Sequence, residues 1–262
     1  MPDAVVLAGG PPDPAIAGAM VPKAFALLAG RPMVDYVLDA LRGAGPIGRV
    51  LLVGPDPLPV RLAGGVDALV AERGSLLENV AAGLEATGGG GAVLVVAADL
   101  PLLTPQAVAA FLEAAGRIEG EAWYAVVRRE DVTGAFPDVR KTFVRLREGT
   151  FTGGSVVLIG PAAFRRARPA IERAMRARKR PGDLARLFGA RTLLRILTRR
   201  VTIAELERRA EAIAGIRARA VLCPHPELAI DVDRRETLDV LEARFLRRPR
   251  PVPAREGEFD AL

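Results

Sequence analysis

Apolar positions in this chain fall into two rhythms that alternate along its first part. Short, largely apolar runs at 4–8, 49–54, 68–71, 92–99, 123–127 and 156–159 predict strands. Between them lie stretches with one apolar face. Met33, Val34, Val37, Leu38 and Leu41 carry the spacing of a helix over 33–41, and Leu76, Leu77, Val80 and Leu84 that of a helix running to about 86. Strands alternating with helices predict an α/β fold with a mainly parallel sheet. The run at 92–99 is apolar up to its closing acid, so it belongs at the centre of that sheet.

Later segments read less regularly. Residues 131–139 read as a loop, and 141–146 alternates polar and apolar as a half-exposed strand does. Gly153 and Gly154 precede the strand at 156–159; they permit close backbone approach by a ligand, or they mark a bulge or tight turn. Residues 161–215 read as a mostly helical, arginine-rich insertion, densest at 176–181, with a capped helix start at Thr202. Short strands are expected at 219–222 and 228–233, then a helix from Arg235 to Arg244 or beyond. The expected organisation is one domain over 1–246 and a mobile tail over 247–262, where Pro249, Pro251 and Pro253 stand among few apolar residues.

Chemistry concentrates where the strands end. Gly9-Gly10 closes the first strand, and the Pro-, Gly- and Ala-rich loop beyond it leads to Pro22-Lys23. Glycines after a buried strand let backbone N–H groups approach an anion, and a lysine adds a compact charge that suits phosphate. The same glycines also serve a plain tight turn. The segment matches neither the P-loop nor the dinucleotide fingerprint. Ser75 caps a helix with Glu78 as its capping-box partner, or the same helix start faces a ligand. Asp99 stands at the carboxyl edge of the central strand, where ligands of open α/β sheets bind. It holds a cation such as Mg²⁺, or it caps the turn or helix beginning near Thr104. Asp233 is likewise an N-cap or a second metal ligand.

Composition narrows the classes. The chain has 262 residues, half of them hydrophobic and 5% aromatic, enough for a substantial core. No apolar run reaches a membrane span, and the first strand begins without a leader pattern, so a cytoplasmic protein is expected. A single cysteine, Cys223, excludes an internal disulfide framework and a cysteine-based zinc site, and a single histidine, His225, excludes multi-histidine metal sites. The net charge is +6 and nearly all of the 37 basic residues are arginine. That balance fits an anionic partner or a general arginine bias, and no nucleic-acid module accompanies it.

Taken in order, residues 6–10, Pro22-Lys23, 29–33, 98–102 and 230–233 resemble the MobA-like nucleotidyltransferase family, which includes molybdenum-cofactor guanylyltransferase-like proteins and is related to sugar-phosphate nucleotidyltransferases. The resemblance implies a Rossmann-like, GT-A-like fold of the nucleotide-diphospho-sugar transferase type. It implies that Leu7, Ala8, Gly9, Gly10, Lys23, Ser75 and Asn79 bind an NTP. Asp99 and Asp233 would hold Mg²⁺, and Lys23, Asp99 and Asp233 would be the catalytic set. Gly153, Gly154 and Lys141 would meet the acceptor. The implied reaction moves an NMP group to a small phosphorylated acceptor and releases pyrophosphate. Expected partners are the NTP and the acceptor, with a homodimer allowed and neither membrane nor nucleic acid involved. One departure stands out: the family's loop usually carries an arginine before the lysine, and residues 11–20 have no basic side chain, a role left to Lys23 or to the arginines between 165 and 180. Two other readings compete. Asp231-Val232-Asp233 has the Asp-x-Asp form of a nucleotide-sugar glycosyltransferase, and the missing arginine suits a nucleotide-binding regulator without turnover.

Overall fold

The structure, a computed structural model, describes residues 1–17, 21–63, 65–177 and 200–247, and between the last two segments Gly189, Leu194, Arg195 and Thr198. Met20, the basic run at 178–181 and the tail at 248–262 lie outside the described residues.

Strands β1 (Ala4–Leu7), β4 (Val50–Gly54), β5 (Ala68–Ala71) and β6 (Val93–Ala97) build one half of an eight-stranded sheet. The other half holds β7 (Ala122–Arg128), β8 (Val144–Leu146), β9 (Gly149–Ile159) and β10 (Ala218–Leu222). The order is β10-β7-β9-β6-β1-β4-β5, with β8 on β9, while β2 (Leu27–Leu28) and β3 (Arg31–Pro32) form a separate two-stranded ribbon. Pairs β1–β4, β1–β6, β4–β5 and β7–β10 are parallel. Strand β9 runs antiparallel to β6, β7 and β8, so β6 is parallel to its neighbour on one side only.

Alternation of side chains explains why the central strands read as apolar without a break. Ala4, Val6, Val50, Leu52, Leu94 and Val96 face one core with α1 (Met33–Gly43) and α3 (Pro105–Gly116). Val5, Leu51, Val53, Val93 and Val95 face the other, against α2 (Leu76–Ala86) and α5 (Pro161–Ala177). Both faces are covered, so neither can be polar. Gly83 brings α2 close: a Cβ there would overlap Val5 and stand 3.0 Å from Val53. Further helices among the described residues include α4 (Arg129–Ala135), α6 (Ile203–Ala214) and α7 (Arg235–Arg247). No helix among the described residues is long and apolar enough to cross a membrane.

Several expectations are corrected. The loop expected at 131–139 holds helix α4, which starts at Arg129 with Glu130 and Asp131 in its first turn. Gly153 and Gly154 lie inside the eleven-residue strand β9, at a register shift against β7, rather than ahead of it. The strand expected at 141–146 shrinks to β8, leaving Lys141 in a loop. Residues 228–233 form no strand; Pro226–Ala229 is a 3₁₀ turn led by proline, followed by chain without regular structure. Leu76, expected inside, is 53% exposed, because it is the first residue beyond the Ser75 cap. Glu78 pairs with Arg168 instead of closing a capping box. A complete capping box forms at Thr202 and Glu205.

Strand β1 lies between β4 and β6, the point where the chain, having moved outward to β5, returns to the other side. Open α/β sheets bind ligands beyond the strand ends at such a switch.

Candidate active site

Three carboxylates meet beyond the carboxyl ends of β1 and β6. Asp99 follows β6, and the backbone N–H of Val232 donates to the Asp99 carbonyl at 3.0 Å, which fastens Asp231 and Asp233 beside it. Oxygens of all three acids lie within 4.8 Å of one another. Lys23 reaches them from a 3₁₀ turn (Lys23–Phe25) anchored by buried Ala24 and Phe25. Its Nζ lies 2.5 Å from Asp99 Oδ2 and also donates to Asp233 Oδ1. Lys141 donates to Asp231 Oδ1, with both side chains largely buried. Three carboxylates thus face two ammonium groups, leaving one negative charge.

Electrostatics separate these groups. Burial works against the Lys23 charge, but Asp99 and Asp233 outweigh it and hold the ammonium well above the ordinary lysine value. Burial, followed by a hydrogen bond with Asp233, pushes Asp231 up to about 6. That same bond, followed by Lys23, holds Asp233 down near 2 despite its desolvation. Asp99 Oδ1 is buried and has no hydrogen-bond partner. A buried carboxylate oxygen without a donor is costly unless a cation supplies the missing contact. An all-oxygen donor set of this kind suits a hard divalent cation such as Mg²⁺.

The alternatives read from the sequence resolve in part. Thr104 itself caps α3, accepting from Ala107 N at 3.2 Å, so Asp99 is not needed there. Gly9 and Gly10 sit against Glu72, a residue the sequence reading missed: Gly10 N donates to Glu72 Oε2 at 2.6 Å. A Cβ on Gly9 would overlap Glu72 and approach Asn79 Nδ2 to 2.9 Å, and Gly10 adopts φ +130°, so both positions need glycine. Leu7 is half-buried and Ala8 buried at the end of β1. Asn79 is buried and accepts from Arg73 N at 2.6 Å. Ser75 caps α2, accepting from Glu78 N at 3.2 Å. Gly153 faces Tyr124, and a Cβ on Gly154 would stand 2.8 Å from the Leu228 carbonyl; both let neighbouring elements pack closely. Lys141 joins the acidic cluster. Asp231, noted in the sequence only as half of an Asp-x-Asp pair, is a full member of it. Its link to Lys141 across 90 positions leaves no local signal. An open cleft of about 260 Å³, lined by Asp138, Arg140, Arg234, Glu236 and Thr237, adjoins Asp233 and Lys141 in the chain.

Known proteins share the family and the fold of this chain. A hypothetical transferase structure from Thermus thermophilus superimposes with a TM-score of 0.82 at 43% identity, covering 90% of this chain and 99% of that one. A 2-C-methyl-D-erythritol 4-phosphate cytidylyltransferase, also from Thermus thermophilus, shares the fold, with a TM-score of 0.51 at 20% identity over 93% of this chain and 98% of that one. The phosphoenolpyruvate guanylyltransferase of Rubrobacter xylanophilus is 42% identical over 97 residues, 32% of this chain and 42% of its own length. The chain thus spans less than half the length of the curated relatives it matches. The family model for the MobA-like NTP transferase domain matches residues 4–194. With its mixed, mostly parallel sheet and the acids at its switch point, this chain belongs to the MobA-like NTP transferase family, a family of nucleotidyltransferases.

Proposed function

We propose that this protein moves an NMP group from an NTP to a small phosphorylated acceptor, releasing pyrophosphate, with Mg²⁺ as cofactor. The observation that carries the metal assignment is the buried, unpartnered Oδ1 of Asp99 among three carboxylates at the switch point. Asp99 and Asp233, joined by Asp231, are the ligands. Bound there, the ion would neutralise phosphate charge and polarise the α-phosphate. An acceptor oxyanion forms a bond to the α-phosphorus, the bond to the β-phosphate oxygen breaks, and pyrophosphate leaves with that electron pair. Such a reaction asks the protein for positioning and charge and for little covalent chemistry. In this reading the loop from Leu7 to Gly10, Ser75 and Asn79 hold the nucleotide, and Lys23 serves its phosphates. Gly153, Gly154 and Lys141 lie toward the acceptor. Arg140 and Arg234, which have no carboxylate partner among the described residues, give the adjoining cleft donors for an anionic group.

A coupled pyrophosphate-release assay tests this. Each of the four NTPs is offered with Mg²⁺ and a panel of acceptors that includes phosphoenolpyruvate and sugar phosphates. One pairing should turn over, and Asp99→Asn should lower its rate about a hundredfold or more with little change in melting temperature. Turnover unchanged in Asp99→Asn would remove the metal assignment. Nucleotide-sugar transfer without pyrophosphate would favour the glycosyltransferase reading instead.

A further inference from the structure

Of the 37 basic residues only Lys23, Lys141 and Lys179 are lysines, and two of those three lie in the acidic cluster. An ammonium is a compact point charge, whereas guanidinium is a broad planar fork. The chain therefore departs from its arginine usage at the spot where three carboxylates converge. The two lysines differ in their hold. Lys141 is 16% exposed and paired with Asp231 alone, itself 14% exposed. Lys23 is 34% exposed and bridges Asp99 and Asp233, acids from different segments of the chain, with Asp233 61% exposed.

From this geometry we infer that Lys23 is a stand-in cation. Its ammonium fills the position among the carboxylates that a divalent ion would take, keeping the acids together in the free protein, and it must leave before such an ion enters. This inference rests on the metal-dependent reading above and adds an order of events to it. Lys23 occupies Asp99 Oδ2 and Asp233 Oδ1 and leaves Asp99 Oδ1 open, so a dication that joined the two acids through that oxygen would stand beside the ammonium and meet strong like-charge repulsion. Once displaced, the Lys23 ammonium stands free at the mouth of the loop that ends β1, where a polyphosphate can receive it. The free protein should then take up the ion poorly, and ion and nucleotide should each strengthen the other's binding, because linkage is reciprocal. Lys23 acts here as a positioning residue, apart from any contact it makes with substrate.

The test is a titration of the full-length protein with Mn²⁺ alone, no nucleotide present, following the free-ion signal by electron paramagnetic resonance. Wild type is compared with Lys23→Met, with Lys23→Gln and with the double variant Lys23→Met/Asp99→Asn. The expected result is Mn²⁺ affinity about tenfold or more higher in either single variant than in wild type, and lost again in the double variant. Equal affinity in wild type and both single variants, or tighter binding by wild type, overturns the stand-in role and leaves the metal reading intact. No uptake by any folded variant overturns the metal reading and this inference with it. Two substitutions of different polarity keep the result readable if one of them disturbs folding, which a melting curve reports.

Discussion

Cys223, the one thiol of the chain, is 1% exposed and packs in the larger core. Burial pushes it up to about 11 from an ordinary value of 9.0. The native thiol should therefore stay silent toward Ellman's reagent at pH 8, and a single equivalent should appear in denaturant. Its contribution to stability has a definite sign. The folded state keeps the proton, so the contribution is whole below about pH 9 and is lost as the pH rises toward 11. The difference in urea midpoint between wild type and Cys223→Ala should shift against the wild type over that window. A thiol that reacts at once in the native protein would contradict the burial. At the same scale, Lys23 and Asp99 were legible because glycines, lysine and a strand-end acid follow one another in a recognisable order. Glu72 and the pairing of Lys141 with Asp231 were not. Each is a meeting of residues 62 or more positions apart, decided by sheet order and carrying no local pattern.

Helix α2 shows how an element's position depends on a missing side chain. Gly83 faces Val5 and Val53, and an added Cβ would overlap the first and press on the second. Gly134, inside α4, has nothing within 4 Å of that position. Alanine is the better helix former by about 1 kcal/mol at either site. Gly134→Ala should therefore be neutral or stabilising by up to that amount. Gly83→Ala should lose about 1–2 kcal/mol, since overpacking typically costs ~1–3 kcal/mol and propensity returns part of it. Urea unfolding of the pair checks this, and equal effects would mean that α2 can slide away from the sheet. Elements with a clean rhythm, such as α1 and β4, were readable in advance. Strand β9 was not, because its two glycines imitate a turn while they admit Tyr124 and Leu228. The short helix α4 was missed because its seven residues are too few to show a face.

For the molecule as a whole, the two-sided core makes the sheet rigid and leaves ligand binding to the strand ends. A ligand that binds only the folded state raises apparent stability by mass action. One NTP with Mg²⁺, at about a hundred times its dissociation constant, should raise the melting temperature by about 5 °C or more, and by less without Mg²⁺. Four NTPs that leave the curve unmoved would count against the nucleotide reading of the loop after β1. The α/β class was visible from the alternation of runs and faces alone. The antiparallel β9 at its centre was not, since a strand buried on both faces reads the same in either direction.

Lys23 and Asp233 stand 210 positions apart, with Asp99 between them, and the Val232 N–H that joins the acids belongs to a segment made long after Lys23 and Asp99. During synthesis the parallel half of the sheet can form while the cluster is still without Asp231 and Asp233. Under the proposed reading, a chain cut before Asp231 would lack two of the three carboxylates and should neither take up the ion nor turn over nucleotide.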